Sequence, residues 1–152
     1  MKIAIGSDIL GYKLKEYVKQ VLDQNGAEYL DVGVHEEENT DYPDIAEKVA
    51  NHISSGECER GILICGTGIG MAIAANKVEG IRAAVCHDLY SAERSRKSNN
   101  AQIMALGALV IGDALAKGLV EVWLKSEFEG WASAQKIEKI SQLEKRNKSR
   151  CL

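Results

Sequence analysis

The sequence alternates short runs of β-branched and other apolar residues with segments long enough to form a helix, and this alternation constrains the fold most strongly. The runs that we interpret as strands cover residues 2–6, 28–32, 61–65, 81–86 and 103–111, the last broken by Gly107. Strands separated by helix-length segments indicate βαβ units and a parallel sheet. At 152 residues the chain has the size of one ordinary domain, so we expect a single α/β domain over residues 1–152.

Helix signals occupy the intervals between these runs. The segment YKLKEYVKQVLDQNG repeats its apolar residues at helical spacing and ends on Asn25-Gly26, a common helix stop. The polar stretch at residues 33–42 predicts a surface loop, which is either functional or simply solvated. Further helices are predicted to begin near Pro43, Gly70, Tyr90, Asp113 and Ala132.

Composition and charge exclude several classes of function. A net charge of -3, with basic residues interleaved among acidic ones, provides no field that would attract nucleic acid. No apolar run is long enough to cross a bilayer, and the start lacks the apolar core and cleavage site of a signal peptide. We therefore expect a cytoplasmic protein with no nucleic-acid or membrane partner. Neither a metal site nor a disulfide framework is expected, because CxxC spacing and histidine pairs are missing around Cys58, Cys65, Cys86 and Cys151.

The stretch ILICGTGIGMAIAANK places Cys65 at the end of a predicted strand and follows it with alternating glycines. In an open parallel sheet, ligands bind beyond the carboxyl ends of the strands, where Cys65 would lie. A nucleoside triphosphate loop needs Gly-Lys-Ser/Thr, and no lysine follows until Lys77. A dinucleotide fingerprint needs G-x-G-x-x-G after the first strand, whereas G-x-G-x-G follows the third strand here. What remains is a loop of small residues whose backbone N–H groups face the strand ends.

Such a loop suits proton-transfer or nucleophilic chemistry at Cys65. Its amides favour the thiolate form of the cysteine and stabilise an oxyanion on a bound carbonyl. Proton abstraction next to a carbonyl, as in aldose–ketose isomerisation through an enediolate, requires a base beside such an oxyanion site. Acyl transfer would also need a histidine near the thiol, for which His35, His52 and His87 are available. A buried cysteine without a chemical role is equally common, so both interpretations stay open at this point.

The chain also carries the motifs KIAIGSD, DYPDIAEKVA, GILICGTGIGMAIAANKVEGIRAAVCHD, YSA, ALGALVIG and EFEG. In order and spacing these motifs resemble the ribose-5-phosphate isomerase type B and galactose-6-phosphate isomerase family over nearly the whole chain. The last predicted helix repeats Ile137, Ile140 and Leu143, an apolar stripe that suits packing on a neighbouring subunit or, equally well, on the chain's own sheet. The resemblance implies a Rossmann-like three-layer sandwich. It also implies a dimer or tetramer with active sites shared between subunits, a sugar or sugar-phosphate substrate, and no cofactor.

By this resemblance, Cys65 is the base that moves a proton between the two carbons of the enediolate. Thr67 and the loop amides, including those of Gly66, Gly68 and Gly70, would stabilise the anion. Asp8 would bind sugar hydroxyls, and Asp41 and Tyr42 would support the thiol side. The remaining substrate-binding positions implied by the family pattern are Asn99 and Lys136.

The departures from the family pattern fall on its histidines and arginines. Ile9 and Ser98 stand where the family has histidines, of which the second opens the sugar ring, and Leu109 replaces an arginine. The family's Gly-Gly-Arg-His segment reads Gly-Trp-Ala-Ser at residues 130–133, which leaves only Lys136 at the second basic position. Isoleucine and leucine provide none of the paired hydrogen bonds that arginine makes with phosphate.

Three hypotheses account for these departures. The chain is one subunit of a hetero-oligomer whose partner supplies arginines, or a homo-oligomeric isomerase for a different sugar, such as a tetrose phosphate or an unphosphorylated sugar. The third hypothesis is an accessory or sugar-binding relative without catalysis. An alternative anion site would use basic residues elsewhere, although the nearby Glu93 equally indicates an exposed charged face. The candidates for that site are Lys77, Arg82, Arg94, Arg96 and Lys97.

Overall fold

The computed structural model describes residues 1–35 and 40–148, so part of the predicted loop at 33–42 and the last four residues lie outside the described residues. Every helix predicted beyond the first begins within one residue of its expected start. The elements are β1 (Lys2–Ser7), α1 (Tyr12–Gln24), β2 (Glu28–Asp31), α2 (Tyr42–Ser54), β3 (Arg60–Cys65), α3 (Ile69–Ala75), β4 (Ala83–Val85), α4 (Leu89–Lys97), β5 (Ile103–Gly107), α5 (Asp113–Leu124) and α6 (Trp131–Lys148).

The strands form one parallel sheet in the order β2-β1-β3-β5-β4, which confirms the predicted five-stranded parallel sheet. The chain first moves from β1 outward to β2 and then returns to place β3 on the other side of β1. This reversal opens a crevice at the carboxyl ends of β1 and β3, the usual ligand position in an open α/β sheet. The predicted extension of the last strand to residue 111 is wrong, because the N–H groups of Val110 and Ile111 turn back onto the Gly107 carbonyl.

The two faces of the sheet carry separate helical layers. On β3, Ile62 and Ile64 point into a core shared with α1, α4 and α5. Leu63 and Cys65 point to the opposite face, into a core shared with α2 and α3. Alternation along a strand produces this division, because successive side chains point to opposite faces. The three-layer sandwich implied by the family resemblance is thereby confirmed.

A buried ion pair anchors the connection that follows β2. The Lys15 side chain is fully buried, and its Nζ donates to both carboxylate oxygens of Asp31 at 2.8 and 2.7 Å. The same Nζ donates to the Val34 carbonyl at 2.6 Å, and the Val34 N–H donates to the Ser7 carbonyl at 2.9 Å. Lys15 therefore ties α1 and the end of β2 to the end of β1, where the crevice begins.

This ion pair predicts an acid-sensitive contribution to stability. Burial opposes ionisation of Asp31, but hydrogen bonds from Lys15 and Lys19 outweigh it and hold the Asp31 pKa below its ordinary value of 3.8. Because the folded pKa is the lower one, the contribution is complete above about pH 5 and is lost as the pH falls through the folded value. We expect the thermal unfolding midpoint to fall more steeply below about pH 4 in the native protein than in Asp31→Asn.

Helix α6 lies along the amino edge of the sheet. The Glu129 N–H just before it donates to the Lys97 carbonyl, and the Glu144 carboxylate accepts a hydrogen bond from the Gly80 N–H at 3.1 Å. Ile140 and Leu143 on this helix are about half exposed, at 49% and 50%. The stripe predicted from their spacing is present, and its packing on a neighbouring subunit stays a prediction.

Candidate active site

Cys65 is the last residue of β3 and lies at the crevice between β1 and β3. Its side chain is buried, and its Sγ accepts a hydrogen bond from the Gly68 N–H at 3.1 Å. A donor at this position stabilises negative charge on sulfur. The residue is therefore placed as a base or nucleophile at a strand end would be, with an amide donor from the predicted loop beside it.

The glycines of the loop after Cys65 are required by close packing. Gly68 has a φ of +77°, and a Cβ there would lie 3.0 Å from the Leu106 backbone. A Cβ at Gly70 would lie 2.7 Å from the ring of Tyr42. Larger residues would push the loop away from β5 or displace Tyr42. The spacing of small residues noticed in the sequence thus keeps the loop amides close to Cys65.

A turn at the end of β5 supports the loop from the other side. The Ala108 N–H donates to the Cys65 carbonyl at 2.8 Å, and the Leu109 N–H donates to the Gly66 carbonyl at 3.0 Å. The exposed Thr67 lies above this turn, and its Oγ1 accepts a hydrogen bond from the Ile69 N–H at 3.3 Å. The loop is therefore held by backbone hydrogen bonds, while the Thr67 side chain is open to solvent.

Asp8 closes the crevice on the β1 side. Its Oδ1 accepts a hydrogen bond from the Gly11 N–H at 2.9 Å, and its own N–H donates to the Ile64 carbonyl at 3.2 Å. These bonds hold the Asp8 carboxyl group beside the end of β3. The structure thus brings Asp8 to the same sheet edge as Cys65, as the sequence motifs imply.

Gly11 makes the approach of this loop to β3 possible. An alanine Cβ at position 11 would overlap the Ile64 carbonyl oxygen. We expect Gly11→Ala to lower the free energy of unfolding by about 2–3 kcal/mol and turnover at the crevice by at least about tenfold, since the Asp8 loop must move. Gly112→Ala is a matched control, because Gly112 is also a helix N-cap with negative φ but has open space around it. An unchanged Gly11→Ala enzyme would contradict the importance of this loop position.

The other predicted residues divide between two edges of the sheet. Asp41 and Tyr42 begin α2, and the Tyr42 ring covers Gly70, so both lie near the loop at the carboxyl edge. Asn99 lies at the opposite, amino edge, where its amide donates to the Arg94 carbonyl at 3.2 Å. Lys136 is exposed on α6, which follows the same amino edge. A single chain therefore does not bring Asn99 or Lys136 to Cys65.

Three residues of the suggested alternative anion site have partners within the chain. Arg96 is buried and donates to the Ala101 carbonyl at 2.7 Å, and burial lowers its pKa to about 10. Lys97 pairs with Glu93 at 2.7 Å, and Arg94 donates to the Ser98 hydroxyl. They lie on α4 toward the amino edge, so they form no anion site with Cys65 of the same chain.

The described residues contain no group of three or more histidine, cysteine or acidic side chains arranged to hold a metal ion. None of the helices in residues 1–35 and 40–148 is both long and apolar enough to cross a membrane. The cysteines Cys58, Cys65 and Cys86 are free thiols. The groups that this chain places at the crevice are the Cys65 thiol, the Thr67 hydroxyl, the Asp8 carboxyl group and the loop amides.

Comparison with known proteins identifies the family to which the chain belongs. The model of the ribose/galactose isomerase family matches residues 3–140. The chain belongs to this family. It is 53% identical to the ribose-5-P isomerase B of Listeria innocua, with 97% of this chain and 100% of the relative covered. It is also 53% identical to the D-erythrulose-4-phosphate isomerase of Pectobacterium atrosepticum, with coverage of 97% and 98%.

Solved structures agree with this assignment. The ribose-5-phosphate isomerase B of Clostridium thermocellum superposes with a TM-score of 0.94 at 52% identity, covering 97% of this chain and 99% of that structure. The Mycoplasma genitalium enzyme with bound ribulose-5-phosphate superposes with a TM-score of 0.90 at 36% identity, with coverage of 95% and 96%. Both the family and the fold expected from the sequence motifs are confirmed.

Proposed function

We propose that this protein, a sugar-phosphate aldose–ketose isomerase by its family, uses Cys65 as the base that moves a proton between neighbouring carbons. The observation that carries the proposal is the Cys65 Sγ at the crevice between β1 and β3, with the Gly68 amide donating to it at 3.1 Å. A thiolate held in this way is a base beside a set of backbone donors. Proton abstraction next to a carbonyl needs these two groups together.

The proposed reaction starts from the open-chain sugar. The Cys65 thiolate removes a proton from the carbon next to the carbonyl, and the electron pair of that C–H bond moves toward the carbonyl oxygen. Thr67 and the loop amides from Gly66 to Gly70 stabilise the resulting enediolate oxygen. The protonated thiol then returns the proton to the former carbonyl carbon, while Asp8 holds the sugar hydroxyls. The hydroxyl proton on the neighbouring carbon passes to the enediolate oxygen, so that the carbonyl group now stands at the neighbouring carbon. Aldose and ketose are thereby interconverted without net change in atoms or electrons.

We further propose that a second copy of the chain completes the site. Asn99 and Lys136 lie at the amino edge of their own sheet and away from Cys65, which is consistent with their acting in a neighbouring subunit. The half-exposed Ile140 and Leu143 on α6 supply apolar surface for that contact. The proposed enzyme is thus a homo-oligomer with shared sites.

Subunit mixing tests the shared site. Cys65→Ala and Asn99→Leu proteins, each with little activity, are unfolded together, refolded and assayed. In a mixed dimer one site carries both substitutions and the other carries neither, so random assembly should restore about a quarter of native activity. Refolding each variant alone is the control. If the mixture stays as inactive as the separate variants, Asn99 does not act across a subunit contact.

For the substrate, we propose a four-carbon sugar phosphate. Ile9 and Ser98 replace the family's histidines, and Ile9 is 40% exposed beside Asp8. A tetrose 4-phosphate carries its phosphate on the oxygen that would close a furanose ring, so it needs no ring-opening group. The D-erythrulose-4-phosphate isomerase of Pectobacterium atrosepticum is a 53% identical relative. Because the ribose-5-P isomerase B of Listeria innocua is equally similar, at 53% identity, the replaced histidines are what favours a tetrose phosphate over a pentose phosphate.

Turnover of the purified protein on the two substrate classes tests this choice. We expect kcat/KM for erythrulose 4-phosphate to exceed that for ribose 5-phosphate by at least about tenfold. A preference for ribose 5-phosphate would contradict the tetrose proposal and leave the isomerase assignment intact. Activity that appears only after a second family member is added would instead support a hetero-oligomer.

A further inference from the structure

Strand β4 ends before the ladder that joins it to β5 is complete. The Cys86 N–H donates to the Ala105 carbonyl at 3.1 Å, which is the last backbone bond of that ladder. In an uninterrupted parallel ladder, the Gly107 N–H would next donate to the Cys86 carbonyl. Instead it donates to the imidazole Nε2 of His87 at 2.9 Å. The histidine side chain therefore takes the place of the backbone acceptor at the end of the sheet.

Gly107 is directly connected to the loop after Cys65. It is buried and pairs in register with Cys65, and a Cβ at position 107 would lie 2.9 Å from the Thr67 backbone. The next two residues, Ala108 and Leu109, donate their N–H groups to the Cys65 and Gly66 carbonyls. Any shift of Gly107 would consequently be transmitted to the anion-stabilising loop through backbone contacts.

We propose that His87 is a positioning residue for the Cys65 loop, acting through Gly107. The role requires the neutral ring, because a backbone N–H can only donate and Nε2 must keep its lone pair to accept. Protonation would remove the acceptor and leave the buried Gly107 N–H without its partner, which is unfavourable. The inference rests on the proposed role of Cys65, and it adds a residue that orients the loop without contacting substrate.

The titratable groups beside His87 are Asp88 and Cys86, its neighbours along the chain. The Asp88 carboxylate interacts with His87, and hydrogen bonds from Ser91 hold the Asp88 pKa below its ordinary range. Cys86 precedes the ring on β4, and burial raises the pKa of its thiol to about 11, so this thiol is neutral in the acid and neutral range. Across β5, the titratable neighbour on β3 is Cys65 itself.

Two substitutions distinguish the hydrogen-bond acceptor of His87 from its ability to take up a proton. His87→Gln supplies a side-chain oxygen that accepts from Gly107 but does not titrate, whereas His87→Leu fills the space without an acceptor. At pH 8 we expect kcat of His87→Gln within about threefold of native and kcat of His87→Leu about tenfold lower, with KM changed little in both. As the pH is lowered, native kcat should fall more steeply than that of His87→Gln, because a proton can take the acceptor lone pair only in the imidazole.

Amide hydrogen exchange provides a readout that does not depend on catalysis. In the substrate-free protein, the Gly107 amide should exchange faster in His87→Leu than in the native protein or in His87→Gln. If His87→Leu fails to fold, the pH profile and the Gly107 exchange of His87→Gln still decide the matter. Native kcat and native Gly107 protection in His87→Leu, or an unchanged pH profile in His87→Gln, would overturn the inference. An active Cys65→Ala enzyme would overturn the proposed mechanism and leave the exchange result interpretable.

Discussion

Cys65→Ala should lose turnover by about a thousandfold, the usual contribution of a positioned general base. The methyl group cannot accept a proton, and the Gly68 amide would then have no sulfur to donate to. KM should change by less than about threefold, because the proposed site binds substrate through Asp8, Thr67 and the loop amides rather than through the thiol. Steady-state kinetics on the preferred sugar phosphate, with folding checked by circular dichroism, measures both constants.

Two further cysteine variants test the same role of Cys65. Cys65→Ser keeps the shape but presents a much weaker base, so it should be nearly as inactive as the alanine variant. Cys58→Ala is the matched control: Cys58 is buried near the amino edge, and burial raises its pKa, so its loss should affect stability rather than turnover. A Cys65→Ala enzyme that keeps native kcat would show that another group moves the proton.

Lys15→Met should lower the free energy of unfolding by about 3 kcal/mol, the cost of leaving one member of a buried ion pair without its partner. Methionine fills similar space but leaves the mostly buried Asp31 carboxylate, 13% exposed, without its main donor. It also removes the donor to the Val34 carbonyl. Urea unfolding at pH 7 measures the loss.

A double-mutant cycle shows whether the pair is responsible. In Lys15→Met, the donors left to the Asp31 carboxylate among the described residues are Lys19 and the Gly33 N–H. Adding Asp31→Asn removes this poorly compensated charge, so the double variant should be more stable than the Lys15→Met protein. Lys13→Met is the control, since Lys13 is exposed on the same helix and should change stability by less than about 0.5 kcal/mol. Equal losses for Lys13→Met and Lys15→Met would contradict the assigned role of the buried amine.

Much of the fold could be predicted from the sequence because the local pattern of apolar residues agrees with the packing of the folded chain. The apolar runs form the strands, and the period of two along residues 62–65 sends Cys65 to the face covered by α2 and α3. The glycine pattern after Cys65 is informative for the same reason, since Gly68 lies against the Leu106 backbone and Gly70 against the Tyr42 ring. Local signals thus locate the crevice and its principal group.

The features that could not be predicted from the sequence depend on contacts between distant segments. A lysine within a helical pattern is ordinarily exposed, and only the packing of α1 on the connection after β2 makes Lys15 the buried partner of Asp31. The chain turns away at Gly107 because its carbonyl accepts from Val110 and Ile111, which no strand propensity indicates. Asn99 and Cys65 are likewise far apart because they lie at opposite edges of the sheet, which no sequence motif indicates.

Exchange of substrate hydrogen with solvent reports directly whether Cys65 moves the proton. The native protein and Cys65→Ala are incubated in heavy water with erythrulose 4-phosphate, and deuterium at the carbons next to the carbonyl is followed by NMR. We expect deuterium incorporation by the native protein and a rate at least about a hundredfold lower in Cys65→Ala. Exchange at the native rate in Cys65→Ala would contradict the assignment of Cys65 as the base.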